Sequence, residues 1–369
     1  MTEQSAAQAD NVTMSGGGLY SLATKGAKDV IDKATPRVLA AIRSLDLSES
    51  VRGFTMADMG CADGGTSLSM VRAALNEANT LTNGTQSTVV YADQPRNDFN
   101  ALVSIIHGLT EFDSYLDDIP GVFPLFSGTS FYRQAVPDGT LDFGFSATAM
   151  HWLQRKPCNI SDHVHMVGAS GDELEQFRAQ GKADWEQILM CRARELRSGG
   201  KLVLVNFGID EQGRYLGNTG GVNMFDTFHQ IWLEFLQAGH ISADEYKAMT
   251  LPQYYNTVEE FSAPLTDETN PCYQAGLRLE QIETAVVPCP FAEEYKRHKN
   301  VEQFAEGLIP TIRSWNESIY YAGLDSSRSA MERKQLIEDY YGAYRKRVLE
   351  NPDEHGMGYV HAYMTIARA

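Results

Sequence analysis

The chain has 369 residues, 43% of them hydrophobic, enough for one large core carrying insertions. A formal net charge of −17 leaves no basic face, so no nucleic-acid partner is expected. Five cysteines (Cys61, Cys158, Cys191, Cys272 and Cys289) form no C-x-x-C pair, which disfavours a disulfide framework or structural zinc and suits a reducing, cytoplasmic setting.

Residues 1–13 are polar and small and predict a disordered start without the apolar region of a signal peptide. No stretch approaches ~20 uninterrupted apolar residues, so no membrane partner is expected. From Phe54 the text alternates strand and helix. "FTMADMG" reads as a short strand ending in Asp-x-Gly, and "TSLSMVRAALNEAN" as the helix that follows. "STVVYADQP" is a second strand ending in an acid, "NDFNALVSIIHGL" a second helix and "LDFGFSATAMHWL" a third strand. "DWEQILMCRARELRSGG" is a helix with basic last turns and glycines beyond its end, before the buried strand "KLVLVNFGI". Such alternation predicts an α/β fold with a mostly parallel sheet covered on both faces. Residues 14–210 form the expected core and 211–276 a helical cap. Residues 277–292 return to the sheet, 293–352 complete the cap, and 353–369 supply the final strand.

Three places carry chemistry. In "MADMGCADGGTSL" a glycine turn joins a strand to a helix start, so a ligand can approach exposed backbone N–H groups. Ala62 occupies the second-glycine position of the dinucleotide fingerprint, which disfavours a nicotinamide dehydrogenase. The spacing Gly60-x-x-x-Gly64 is instead that of nucleoside methyl-donor sites. Asp93 ends the next strand, where an acid either accepts two ribose hydroxyls or caps the following helix. His151 and Trp152 end the third strand, where they serve either packing or a site.

In order along the chain, "MADMGCADGGTSL", "YADQPRNDFNAL", "SGTSFYRQAVPDGTLDFGFSATAMHWL", "RARELRSGGKLVL" and "LPQYYNTVEE" resemble the blocks of the SABATH-type methyltransferases. That family methylates small carboxylic acids such as salicylate, benzoate and jasmonate, or ring nitrogens of xanthines. The likeness spans residues 14 to 369. It implies a Rossmann-like class I methyltransferase core with a seven-stranded, mostly parallel sheet and a helical cap. It also implies S-adenosyl-L-methionine as cofactor, a small carboxylic acid as substrate and a homodimer.

Carried over position by position, Asp58, Gly60 and Cys61 would line the methionine side of the donor. Asp93 with Gln94 would hold the ribose, Ser130 and Phe131 would flank the adenine, and Ser21 would close over the cofactor. His151 and Trp152 would face the acceptor, the indole N–H donating to its carboxylate. The family's S-Y-A-x-N-S-x-x-Q reads "SLATKGAKD", so Leu22, Lys25 and Asp29 replace tyrosine, asparagine and a carboxylate-binding glutamine. An ionised Asp29 would repel a carboxylate, so it points away or the alignment slips there. Tyr20 is the candidate for the missing ring, Thr148 stands where many members have tyrosine, and Lys25 would suit a dicarboxylic acid. Lys247 and Thr250 replace the ligands of a magnesium ion that some members place near "AMTLP", and His163 and His165 lack a third ligand, so no metal is expected.

A carboxylate is already ionised near neutral pH, so ester formation needs alignment but no general base. The reading is therefore a carboxyl O-methyltransferase. An N-methyltransferase using Asp29 as acceptor for a ring N–H and a non-catalytic adenosyl-binding protein remain as alternatives.

Overall fold

The computed structural model describes residues 21, 24–47, 53–82 and 84–369. Tyr20, Leu22 and the disordered start expected at 1–13 lie outside the described residues. The first described helix is α1 (Lys25–Arg43), whose buried face repeats at Ala27, Val30, Ile31, Ala34 and Val38.

The sheet contains β1 (Phe54–Met59), β2 (Ser87–Asp93), β3 (Val122–Gly128), β4 (Leu141–Ala147), β5 (Leu196–Ile209), β7 (Leu277–Val287) and β8 (Tyr359–Arg368). Their order is β3-β2-β1-β4-β5-β8-β7. The first five run parallel, whereas β8 is antiparallel to β5 and β7. A two-residue strand, β6 (Asn256–Thr257), pairs with the end of β5. The expected mostly parallel sheet is present, its seven main strands continuous. β1 and β4 are buried along almost their whole length, polar residues such as Asp58 and Ser146 included, as strands covered on both faces are. Strand order reverses between β1 and β4, which opens a crevice beyond their carboxyl ends.

Two helices follow the first two strands, α2 (Leu68–Leu81) and α3 (Phe99–Ile106), with α1 packed on α2. The next helix, α4 (Gly171–Glu195), ends four residues before the glycines expected to stop it. β5 begins at once at Leu196, which pairs with Leu141 ahead of a register shift in β4. Gly199 and Gly200 thus lie inside an irregular strand entry.

Between β5 and β7 run α5 (Met224–Gln237), α6 (Ala243–Ala248), α7 (Val258–Thr266) and α8 (Pro271–Gln274). Between β7 and β8 run α9 (Pro290–His298), α10 (Val301–Gly323) and α11 (Ala330–Glu350). Trp232 of α5 stacks on Tyr340 of α11 with ring centres 4.4 Å apart, and Tyr320 of α10 meets both rings. These aromatics are cap core. No helix among the described residues is long and apolar enough to cross a membrane.

Candidate active site

The turn after β1 places the crevice floor. Gly60 has φ +76°, and a Cβ there would lie 2.4 Å from the Cβ of Ala149, so only glycine fits. Ala62 also has positive φ, an uncommon conformation for a residue with a side chain. Two bonds hold it: its N–H donates to Asp93 at 2.7 Å, and Asn97 Nδ2 donates to its carbonyl at 2.8 Å. Asp93 is not a helix cap. That role belongs to Asp98, which accepts from Ala101 N, leaving Asp93 at the end of β2 accepting also from Gln94 N.

Asp58 is buried and accepts from Ser67 Oγ at 2.6 Å. Burial pushes its carboxyl up to about 7, the Ser67 bond opposes the rise, and Asp93 adds to it. Burial likewise raises Asp93, against its two backbone donors. The Cys61 thiol is pushed well up by burial and then by Asp93, so Cys61 is no thiolate nucleophile. A cavity of about 330 Å³, counting its open mouth, is lined by Asp58, Gly60, Cys61, Ala62, Ser67 and Thr148 among others.

Ser21 lies over this turn, donating through both N and Oγ to Asp63, which also accepts from Gly65 N. Phe131 reaches 3.9 Å from the Cβ position of Gly60, and Ser130 precedes it on the same loop. That loop is pinned from below by Arg192, whose side chain is fully buried and donates to Phe131 O and Arg133 O at 2.8 and 2.9 Å. Glu195 neutralises Arg192 at 2.7 Å and accepts from Ala135 N.

A second cavity of about 430 Å³, counting its open mouth, adjoins the first, and both share Ala27 and Thr148. Thr148 has φ +57°, a strained conformation for a β-branched residue. Thr148 N donates to Val205 O, and its hydroxyl lies 3.1 Å from His361 Nε2. His151 and Trp152 line this cavity with Phe207, Gln253 and Trp315. His151 is buried with no partner for Nδ1 among the described residues, and burial pushes its imidazole down to about 3, so it is neutral at physiological pH. Trp152 is held by a bridge to Gln253 and by the Tyr132 hydroxyl on its carbonyl.

Lys25 and Asp29 are exposed on α1 and line neither cavity, because the helical period turns Thr24, Ala27 and Ile31 inward instead. Lys25 is thus not positioned to meet a second carboxylate, nor Asp29 an acceptor N–H. Sequence reasoning missed Asp63, Asn97, Gln253 and the Arg192–Glu195 pair. Asn97 stood inside a quoted block, but an i,i+3 charge pair near a helix end reads like any solvated pair until burial is known. Among the described residues no group of three or more His, Cys, Asp or Glu could hold a metal.

The glycine floor, the backbone N–H groups and two buried acids raised by desolvation fit S-adenosylmethionine. Its sulfonium and ammonium charges favour ionised carboxylates, and its ribose hydroxyls supply donors. The family model for SAM-dependent carboxyl methyltransferases matches residues 10–361, and the chain belongs to that family. It is 28% identical over 342 residues to methyltransferase FUS9 of Gibberella moniliformis, 90% of each chain being covered. It is 26% identical over 265 residues to loganic acid O-methyltransferase of Catharanthus roseus, covering 67% of this chain and 68% of that one. The solved structure of a loganic acid methyltransferase with SAH shares the fold at a TM-score of 0.76, with 21% identity over 96% of this chain and 98% of that one. The protein is a SAM-dependent carboxyl O-methyltransferase acting on small carboxylic acids.

Proposed function

We propose that the acceptor is a monocarboxylic acid with an apolar body, its carboxylate seated at Trp152 and directed at the shared wall of the two cavities. The observation that carries this is the junction at Ala27 and Thr148, where the acceptor cavity opens beside the glycine turn. Leu216, Trp315 and Met357 supply an apolar lining, and no Lys or Arg is among the described lining residues. A second carboxylate would therefore enter without a counter-charge.

Asp58, Gly60 and Cys61 take the methionine side of the donor, Asp93 and Gln94 the ribose, and Ser130 and Phe131 the adenine. Ser21, held by Asp63, closes the site. S-adenosylmethionine bound there would supply an electrophilic methyl on sulfur, which an ionised carboxylate can take without help from a base. No proton moves, and His151, neutral and buried, forms a wall instead of acting as a base. Trp152 donates its indole N–H to the carboxylate and fixes the angle of attack. Alignment of this kind contributes up to roughly 7–11 kcal/mol.

The N-methylation alternative loses its support because Asp29 lies exposed on α1. Five free thiols suit the cytoplasm, and the family likeness suggests a homodimer, tested by sedimentation velocity. The experiment for the acceptor is transfer of labelled methyl to mono- and dicarboxylic acids, loganic acid included, followed by mild alkali. Monocarboxylic acids should give alkali-labile label; preference for a dicarboxylic acid would overturn the reading.

A further inference from the structure

Gln253 lies on the segment between α6 and β6, 1% exposed, and lines the acceptor cavity. It is bridged antiparallel to Trp152, and the two segments are stitched by Leu153 N to Pro252 O and Tyr254 N to His151 O, at 2.8 and 3.0 Å. Side chains opposite each other in an antiparallel pair share a face, their Cβ atoms about 4.5–5.5 Å apart. Trp152 and Gln253 are thus neighbours on one wall of one cavity.

The orientation of the Gln253 amide follows from its partners. Oε1 faces His165 Nε2 and the Tyr255 hydroxyl, both at 3.2 Å. His165 Nδ1 accepts from Val167 N, so that nitrogen carries no proton. The ring is stacked on Phe225 with centres 3.8 Å apart, and burial holds it neutral. A neutral imidazole that accepts at Nδ1 must carry its proton at Nε2. His165 Nε2–H therefore donates to the Gln253 oxygen, which rules out the flipped amide. The Gln253 NH2 is left on the other edge, with no protein acceptor among the described residues. The Trp152 indole N–H likewise has none.

We propose that Gln253 and Trp152 form a two-donor clamp for the acceptor carboxylate, each N–H binding one oxygen, with Gln253 supplying the donor that Asp29 cannot. This rests on the acceptor being a carboxylate at Trp152. An ionised carboxylate offers about four lone-pair sites, so two donors leave a lone pair free to attack the methyl. His165 and Tyr255 are positioning residues: they fix the amide from behind and touch no substrate.

The test uses the full chain with an acid found as substrate, with donor binding read separately by calorimetry on S-adenosylhomocysteine. Gln253→Leu should raise KM for the acid by roughly 10- to 100-fold, the worth of a hydrogen bond to a charged group, and leave donor affinity unchanged. Gln253→Glu keeps an acceptor for His165 and Tyr255, so it preserves the buried network while setting carboxylate against carboxylate. Its rate should be lost at pH 8 and recover as pH falls and the new acid protonates into a donor, a limb the wild type lacks. Alkali-labile product with unchanged KM in Gln253→Leu, or a Gln253→Glu profile parallel to wild type, would overturn the clamp and leave the carboxylate reading standing. Alkali-stable product from the wild type would overturn both.

Discussion

Replacing Asp58 by asparagine separates what the donor site costs the fold from what it gives to binding. Burial holds this carboxyl near 7 against an ordinary 3.8. A shift of about three units means the anion is disfavoured in the donor-free fold by ~4 kcal/mol at ~1.4 kcal/mol per unit. The sign follows from proton counting. Between pH 4 and 7 the folded state keeps a proton that the unfolded state has released, so stability falls as pH rises through this window. The asparagine amide has no such proton to lose. In urea unfolding of donor-free protein, the stability of Asp58→Asn relative to wild type should therefore improve by about 2–3 kcal/mol between pH 5 and pH 8. Donor binding should change in the opposite sense, weakening roughly 10- to 100-fold at pH 8 because the cationic donor loses its anion. Wild-type affinity for the donor should itself decline as pH falls below about 7. A stability difference independent of pH, or unchanged donor affinity, would refute the reasoning.

Gly60→Ala places a methyl 2.4 Å from Ala149 in a left-handed conformation, and should cost ~1–3 kcal/mol of stability and most donor affinity; wild-type binding by calorimetry would contradict it. Arg192→Met leaves Glu195 buried and unpaired, so thermal or urea unfolding should report a loss of ~3–5 kcal/mol, together with weaker donor binding as the Phe131 loop loosens. With donor saturating, kcat/KM for the acid should show no limb near pH 6.5, because His151 stays neutral down to about 3. A limb there that vanished in His151→Asn would restore a general base.

Much of this was legible because the informative signals are local. Strands closed by Asp58 and Asp93, a glycine turn that leaves no room for a side chain at Gly60, and helices at 3.6-residue spacing mark the alternating strands and helices and the turn after β1, whereas the strand order comes from the fold. The acceptor wall was legible only in half. Trp152 stands at the end of a strand and in a quotable block, whereas Gln253 lies about a hundred residues later and acquires its role from a single bridge. Lys25 and Asp29 misled because alignment by block ignores helical phase: Thr24 and Ala27, without a chemical signature, are the residues α1 turns inward. The Arg192–Glu195 pair was illegible because its spacing is common to any exposed helix, and only complete burial marks it.

The central claim is that a carboxylate held at Trp152 receives the methyl. The direct measurement is transfer of labelled methyl to a monocarboxylic acid by wild type and Trp152→Phe, with donor affinity determined in parallel. The account predicts label released as methanol by mild alkali from the wild-type product, and a kcat/KM for Trp152→Phe reduced at least roughly tenfold with donor affinity intact. Alkali-stable label, or a Trp152→Phe enzyme that transfers at the wild-type rate, would contradict it.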